Sequence, residues 1–273
     1  MNDAEKAHKE SAGVLMNDRK IKTLSPESYS QVFSKSSLSP EEKTICKTFQ
    51  SVKNQSFKNY EYLLIDGGSI DSTLTIAKEQ NHISKIVSEP DKGIYDALNK
   101  GIKNSNEEII GFLNSDDTFY NENSLQHIAD AFDKDTDCVF GDLIYTDKNE
   151  KVTRVWKGSE FKKGLFLKGW MPAHPTFYCR RSVYKKLGLY NESFKIAGDF
   201  ELMLRFLEKH NIRSKYIPRT LVNMKVGGAS NNGLKSKLYI LNEEFRAFDL
   251  NEIDVNKLSY IFYKAQKIKE FKL

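Results

Sequence analysis

The chain has 273 residues, 39% of them hydrophobic, and a net charge of +5 from 42 Lys and Arg against 37 Asp and Glu. That length can bury a substantial core without disulfides, and Cys46, Cys138 and Cys179 are too few and too scattered for a disulfide framework or a structural zinc site. Residues 1–12 are polar and no run of about 18 apolar residues occurs, so neither a secretion signal nor a membrane span is expected, and a reducing cytoplasm is the natural location.

In chain order, residues 1–43 read as an atypical, loosely ordered N-terminal segment, with seven serines between positions 25 and 39 and few grouped apolar residues. Ser39, Pro40, Glu41 and Glu42 then mark a helix start, and the helix runs through Ile45, Phe49 and Val52. From Tyr60 the pattern alternates: strands over 61–65, 84–88, 108–113 and 137–145, with helices over 71–80, 93–103 and 122–132. This alternation predicts an α/β fold with a mostly parallel central sheet flanked by helices. Further on, 174–180 reads as a strand, 181–187 as a short helix and 199–209 as an amphipathic helix. Gly227 and Gly228 break the chain before a basic helical extension over 233–273, leaving 44–232 as the main domain. Lys235, Lys237, Lys264, Lys267, Lys269 and Lys272 alternate there with Tyr239, Tyr260, Phe262, Tyr263 and Phe271. Such a tail suits either a solvated surface or peripheral contact with an anionic membrane.

Three strand ends carry the chemistry. Asp66 follows Leu63, Leu64 and Ile65, and Gly67, Gly68, Ser69 and Asp71 come next. A carboxylate there can accept hydrogen bonds from a base or a ribose while the glycines admit a ligand close to the backbone, although the same residues also suit a plain capped turn. Asp91, Lys92 and Gly93 precede a helix bearing Asp96 and Asn99, and a lysine at that position can neutralise a phosphate. Asn114, Ser115, Asp116 and Asp117 end a third strand. Adjacent carboxylates repel unless a cation or strong donors compensate, and a hard divalent ion held by one or two carboxylates plus substrate phosphates is a common solution. Asp199 opens a helix and, alone, reads as a cap; His174 precedes Pro175 and, alone, reads as a loop histidine, although an imidazole there could donate to a diphosphate.

Together, QSVKNQSFKNYEYLLIDGGSIDST, SEPDKGIYDALNKGI, GFLNSDD, HPTFYCRRSVYKKLGLYNESF and AGDFELMLRF resemble segments of the family 2 glycosyltransferases of GT-A fold, in particular bacterial enzymes of capsule, O-antigen or exopolysaccharide synthesis. The resemblance covers about 45–232. It implies a UDP-sugar donor, with Asp66 at the base, Gly67, Gly68, Ser69 and Asp71 shaping that pocket, and Lys92, Gly93 and Asp96 near nucleotide and sugar. Asn114, Ser115 and Asp116 take the DXD positions, so Asp116 is implied as the principal ligand of Mn²⁺ or Mg²⁺, with Asp117 as a second. Asp199 falls at the catalytic base, His174 at the acceptor or diphosphate side, and Gly227, Gly228 and Ser230 in a stretch after the last core strand. The implied activity is metal-dependent, inverting transfer of a sugar to a saccharide or lipid-linked acceptor at the inner face of the plasma membrane. Nucleic acid is not an expected partner.

One departure stands out. Family members open with a buried apolar strand, and residues 21–38 offer only Tyr29, Val32 and Phe33 among serines and Pro26. A degraded strand over 28–34, a strand from elsewhere, or an inactive relative that only binds nucleotide-sugar are the alternatives.

Overall fold

The computed structural model describes residues 11–16, 40–226 and 233–270. The strand β1 (Ser11–Met16) precedes α1 (Pro40–Lys53), after which strands and helices alternate: β2 (Tyr60–Asp66), α2 (Thr73–Lys78), β3 (Lys85–Ser88), α3 (Ile94–Asn104) and β4 (Ile109–Asn114). Next come β5 (Thr118–Phe119), α4 (Ser124–Ala131), the hairpin β6 (Cys138–Thr146) and β7 (Val152–Trp156), then β8 (Tyr178–Arg180) and α5 (Arg181–Leu187). The chain continues through α6 (Gly198–Met203), β9 (Ser214–Lys225), α7 (Gly233–Leu250) and α8 (Lys257–Glu270).

The nine strands among the described residues join one sheet, ordered β3-β2-β1-β4-β8-β6-β9-β5 with β7 on β6. Side chains alternate across it because successive strand residues point to opposite faces. Tyr62 and Leu64 enter one core with Ile45, Phe49 and Val52 of α1, while Leu63 between them enters the other with Leu98 and Ile102 of α3. That second core continues through α6 into Phe248 of α7 and Tyr260 of α8, so the C-terminal helices are packed into the domain. In α3 the buried residues Tyr95, Leu98, Asn99 and Ile102 follow helical spacing and define its inward stripe.

The α/β architecture and helical C-terminal region match the expectation; the sheet is more mixed than the repeated strand-helix pattern suggests. Strands β2, β3, β4, β6 and β9 share a direction, yet only β2 with β3 and β6 with β9 are parallel neighbours. β1 and β8 are inserted antiparallel between the others. The expected strand over 28–34 lies outside the described residues. Its place between β2 and β4 is taken by Ser11–Met16, which reads as polar when taken with residues 1–12 but carries Val14, Leu15 and Met16 at its far end. Ser11 pairs with both Ile65 and Asn114, so the first residue of β1 lies beside the carboxyl ends of β2 and β4.

Two other expectations change. The strand expected over 174–180 starts as a 3₁₀ turn, His174–Thr176, because Pro175 cannot donate to a ladder, and only Tyr178–Arg180 is strand. The helix expected over 199–209 is α-helical to Met203 and continues as a π-helix over Leu204–Lys209. Gly227, Gly228 and Ser230 lie outside the described residues.

Candidate active site

At the end of β2 the buried Asp66 carboxylate gathers its own turn. It accepts the Ser69 N–H at 3.1 Å, the Gly68 N–H at 3.3 Å, the Ser88 hydroxyl from the end of β3 at 2.5 Å, and the Ser69 hydroxyl. These bonds satisfy a buried charge that would otherwise be costly. Asp66 thus fixes the turn shape, and Gly67 and Gly68 present their backbone around it. A Cβ on Gly67 would come within 2.5 Å of Asp91 Oδ2, so this turn and the Asp91 loop touch through the missing side chain. Asp71 accepts the Thr73 N–H at 3.0 Å at the start of α2.

The second loop is ordered by its acids. Asp91 accepts the Gly93 N–H at 3.0 Å, and Asp96 in the first turn of α3 accepts the Lys92 N–H at 2.9 Å. That bond is the main reason the Asp96 carboxyl is held below its ordinary range. Gly93 takes a φ of 136°, which L side chains rarely adopt. The Lys92 side chain is exposed.

At the end of β4 the two adjacent acids separate. Asp117 is 1% exposed, accepts the Asn114 side-chain amide at 3.0 Å and accepts the Lys225 N–H from β9 at 3.2 Å. The Thr48 hydroxyl of α1 lies 2.8 Å from the Ser115 carbonyl and 2.7 Å from the Asp117 carbonyl. Asp117 and Thr48 therefore brace this turn, while Asp116 is half-buried. Among the described residues no group of three or more His, Cys, Asp or Glu forms a cage for a metal ion. The donor set fits a hard divalent ion carried by one carboxylate and completed by phosphate oxygens and water, the arrangement typical of Mg²⁺ with phosphate substrates.

His174 and Asp199 are brought together from distant parts of the chain. His174 Nδ1 lies 3.2 Å from Asp199 Oδ2, and both side chains are half-exposed. The 3₁₀ turn presents the imidazole, and the first turn of α6 presents the carboxylate. The hydroxyl of Tyr145 on β6 is pushed up to about 12, chiefly by burial, with the Arg154 charge lowering it and the charges of Asp117 and Asp199 adding smaller increases.

Several contributors had no sequence signal. Tyr95, which reads as a core residue of α3, donates to the Ile196 carbonyl at 2.5 Å and accepts the Gly198 N–H at 2.7 Å. A Cβ on Gly198 would lie 2.7 Å from the Tyr95 ring, so a glycine is needed for this approach. Glu243 of α7, in the segment that reads only as a basic tail, accepts the N–H groups of Lys195, Ile196 and Ala197.

The mixed sheet flanked by helices, with carboxylates at the ends of β2 and β4, has the fold of the GT-A glycosyltransferases. Residues 40–196 match the model of glycosyl transferase family 2, and the chain belongs to that family. It is 26% identical over 198 residues to a PGL/p-HBAD biosynthesis glycosyltransferase of Mycobacterium bovis, covering 70% of this chain and 75% of that protein. Among solved structures it resembles S. aureus TarS 1-349 in complex with UDP-GlcNAc, with a TM-score of 0.58 and 17% identity over 81% of this chain and 66% of that one. It also resembles GalNAc-T7 with UDP, GalNAc and Mn²⁺, with a TM-score of 0.54 and 17% identity over 76% of this chain and 45% of that one.

Proposed function

We propose that the protein is an inverting glycosyltransferase that uses a UDP-sugar and a divalent cation, Mn²⁺ or Mg²⁺, in building a bacterial surface polysaccharide or glycolipid. The observation that carries this reading is the His174–Asp199 pair, an imidazole and a carboxylate 3.2 Å apart in a chain of glycosyl transferase family 2. Asp199 would take the proton of an acceptor hydroxyl as that oxygen bonds to the anomeric carbon and the bond to the UDP oxygen breaks on the opposite side, inverting the centre. His174 would orient the Asp199 carboxylate and meet the diphosphate or acceptor. Asp66, Gly67, Gly68, Ser69 and Asp71 would enclose the base and ribose, and Lys92, Gly93 and Asp96 the ribose and sugar. Asn114, Ser115 and Asp116 would face the diphosphate, with Asp116 holding the cation; Asp117 would support that turn from behind. The cation supplies charge neutralisation for the leaving diphosphate.

The UDP complexes of the structural neighbours and the Mn²⁺ in the GalNAc-T7 complex support these assignments by analogy of fold. The occupied slot between β2 and β4 favours a competent enzyme over an inactive binding relative. We also infer a saccharide or lipid-linked acceptor and peripheral contact with the inner face of the plasma membrane. No helix among the described residues is long and apolar enough to cross a membrane, whereas Leu258 and Phe262 of α8 are 81% and 60% exposed.

The test is UDP release from a panel of UDP-sugars with and without Mn²⁺, with Asp199→Asn as control. Metal-stimulated release that the variant loses supports the reading. Binding of UDP with no turnover under any donor, acceptor or metal condition overturns it.

A further inference from the structure

The C-terminal extension carries a group aimed at the loop that delivers Asp199. Glu243 lies in α7, separated in sequence from α6 by the whole of β9, and is 5% exposed. Its Oε1 accepts the Lys195 N–H at 2.8 Å, and its Oε2 accepts the Ile196 N–H at 2.9 Å and the Ala197 N–H at 2.8 Å. Three consecutive backbone donors thus end on one carboxylate, two residues before Asp199. From the other side Tyr95 bonds the Ile196 carbonyl and the Gly198 N–H. Beyond the loop, Phe200 of α6 meets Phe248 of α7 edge to face at 5.5 Å.

Burying a carboxylate is costly unless strong donors replace its water, and charge-assisted bonds to backbone N–H groups do so. A neutral amide in its place would turn one donor toward another donor. The rigidity obtained is spent on a short peptide whose next side chain but one faces His174. We propose that Glu243 is a positioning residue for Asp199, so that α7 belongs to the catalytic unit although the family match ends at residue 196. This rests on Asp199 acting in transfer.

The experiment uses the full chain with Glu243→Gln and Glu243→Asp, the latter keeping the carboxylate. In Glu243→Gln, kcat falls about 10- to 100-fold, as expected for a misplaced reacting group, while KM for the donor stays within about twofold. Glu243→Asp recovers part of kcat. Combined with Asp199→Asn, Glu243→Gln lowers kcat no further, because both act through one carboxylate. The imidazole resonances of His174, followed by NMR in the same proteins, move in Glu243→Gln toward their positions in Asp199→Asn and return toward wild type in Glu243→Asp. This readout needs no turnover, so an inactive wild-type protein would sink the transferase reading while leaving the positioning claim measurable. Unchanged kcat and unchanged His174 resonances in folded Glu243→Gln overturn the proposal, as does a full additional loss in the double variant. If Glu243→Gln does not fold, Glu243→Asp decides by the same two measurements.

Discussion

His174 Nδ1 and Asp199 Oδ2 are 3.2 Å apart, although 25 positions of chain separate the two residues. The contact joins a proline-bearing 3₁₀ turn to the first turn of α6, each fixed by its own core contacts: Pro175 and Thr176 are buried behind His174, and Phe200 is buried behind Asp199. The prediction is that Asp199→Asn lowers kcat at least about 100-fold with UDP affinity retained, while His174→Asn gives a smaller loss of about 10-fold. Steady-state kinetics with calorimetric UDP titration checks both. Equal and complete losses of UDP binding would place the pair in donor binding instead.

The adjacent acids of β4 should separate in experiment as they do in space. Asp116→Asn should abolish Mn²⁺ stimulation and leave the melting temperature near wild type. Asp117→Asn should instead cost about 1–3 kcal/mol of stability, because the buried carboxylate accepts the Asn114 amide and the Lys225 N–H. Denaturant titration and metal-dependent UDP release, measured on both variants, distinguish ligand from brace. Reversed phenotypes would exchange the two roles.

Much of this frame was legible because local chemistry and fold agreed. The apolar run Leu63–Leu64–Ile65 ending in Asp66 predicts a buried strand, and β2 has that form. The short helix over 181–187 coincides with α5. What could not be read were relations set by tertiary contact. Nothing in Ser11–Met16 signals pairing on both edges with β2 and β4, since a six-residue strand acquires meaning only from the gap it fills. Glu243 reads as one of three acids in a helix of balanced charge until α7 packs on α6. Tyr95 has the spacing of a core aromatic, and its hydroxyl finds the Ile196–Gly198 backbone only after α3 and α6 meet.

The β1 slot itself can be tested through the backbone. Val14 pairs with Tyr62 on one side and Gly111 on the other. Val14→Pro removes a donor in the middle of a central strand and should cost about 3 kcal/mol or more if the ladder forms in solution. Reduced melting temperature with weakened UDP binding is expected, because Ser11 borders the ends of β2 and β4. A variant with wild-type melting and wild-type UDP affinity would remove β1 from the sheet.

His82 gives a pH dependence with a defined sign. It lies between α2 and β3, its Nε2 is 2.9 Å from the Phe49 carbonyl, and its ring stacks on Tyr62 at 5.6 Å. Burial, the largest influence, lowers its affinity for a proton below the ordinary value. The unfolded chain then binds more protons than the native one as pH falls below about 6.5, so stability is full above that value and declines toward the lower folded-state value. His82→Gln should flatten the part of that decline due to this group, measured by urea titration between about pH 7 and pH 5. Parallel curves for variant and wild type would assign the acid sensitivity elsewhere.

The exposed face of α8 predicts where the protein sits. Leu258, Ile261 and Phe262 fall at helical spacings of three and four and are exposed, while Tyr260 is buried against Phe245 and Phe248 on the opposite side. The helix sequence carries Lys257, Lys264, Lys267 and Lys269 against the single acid Glu270. An exposed apolar stripe on a helix of basic sequence is suited to the headgroup boundary of an anionic bilayer. Co-sedimentation with vesicles containing phosphatidylglycerol should be strong for the wild type, weaker in high salt, and lost in a Leu258→Ser, Phe262→Ser variant whose UDP binding is intact. Equal sedimentation with neutral vesicles would indicate apolar insertion without charge recognition. Concentration-dependent dimerisation abolished by the same two substitutions, with no vesicle binding, would assign the stripe to a second copy of the chain.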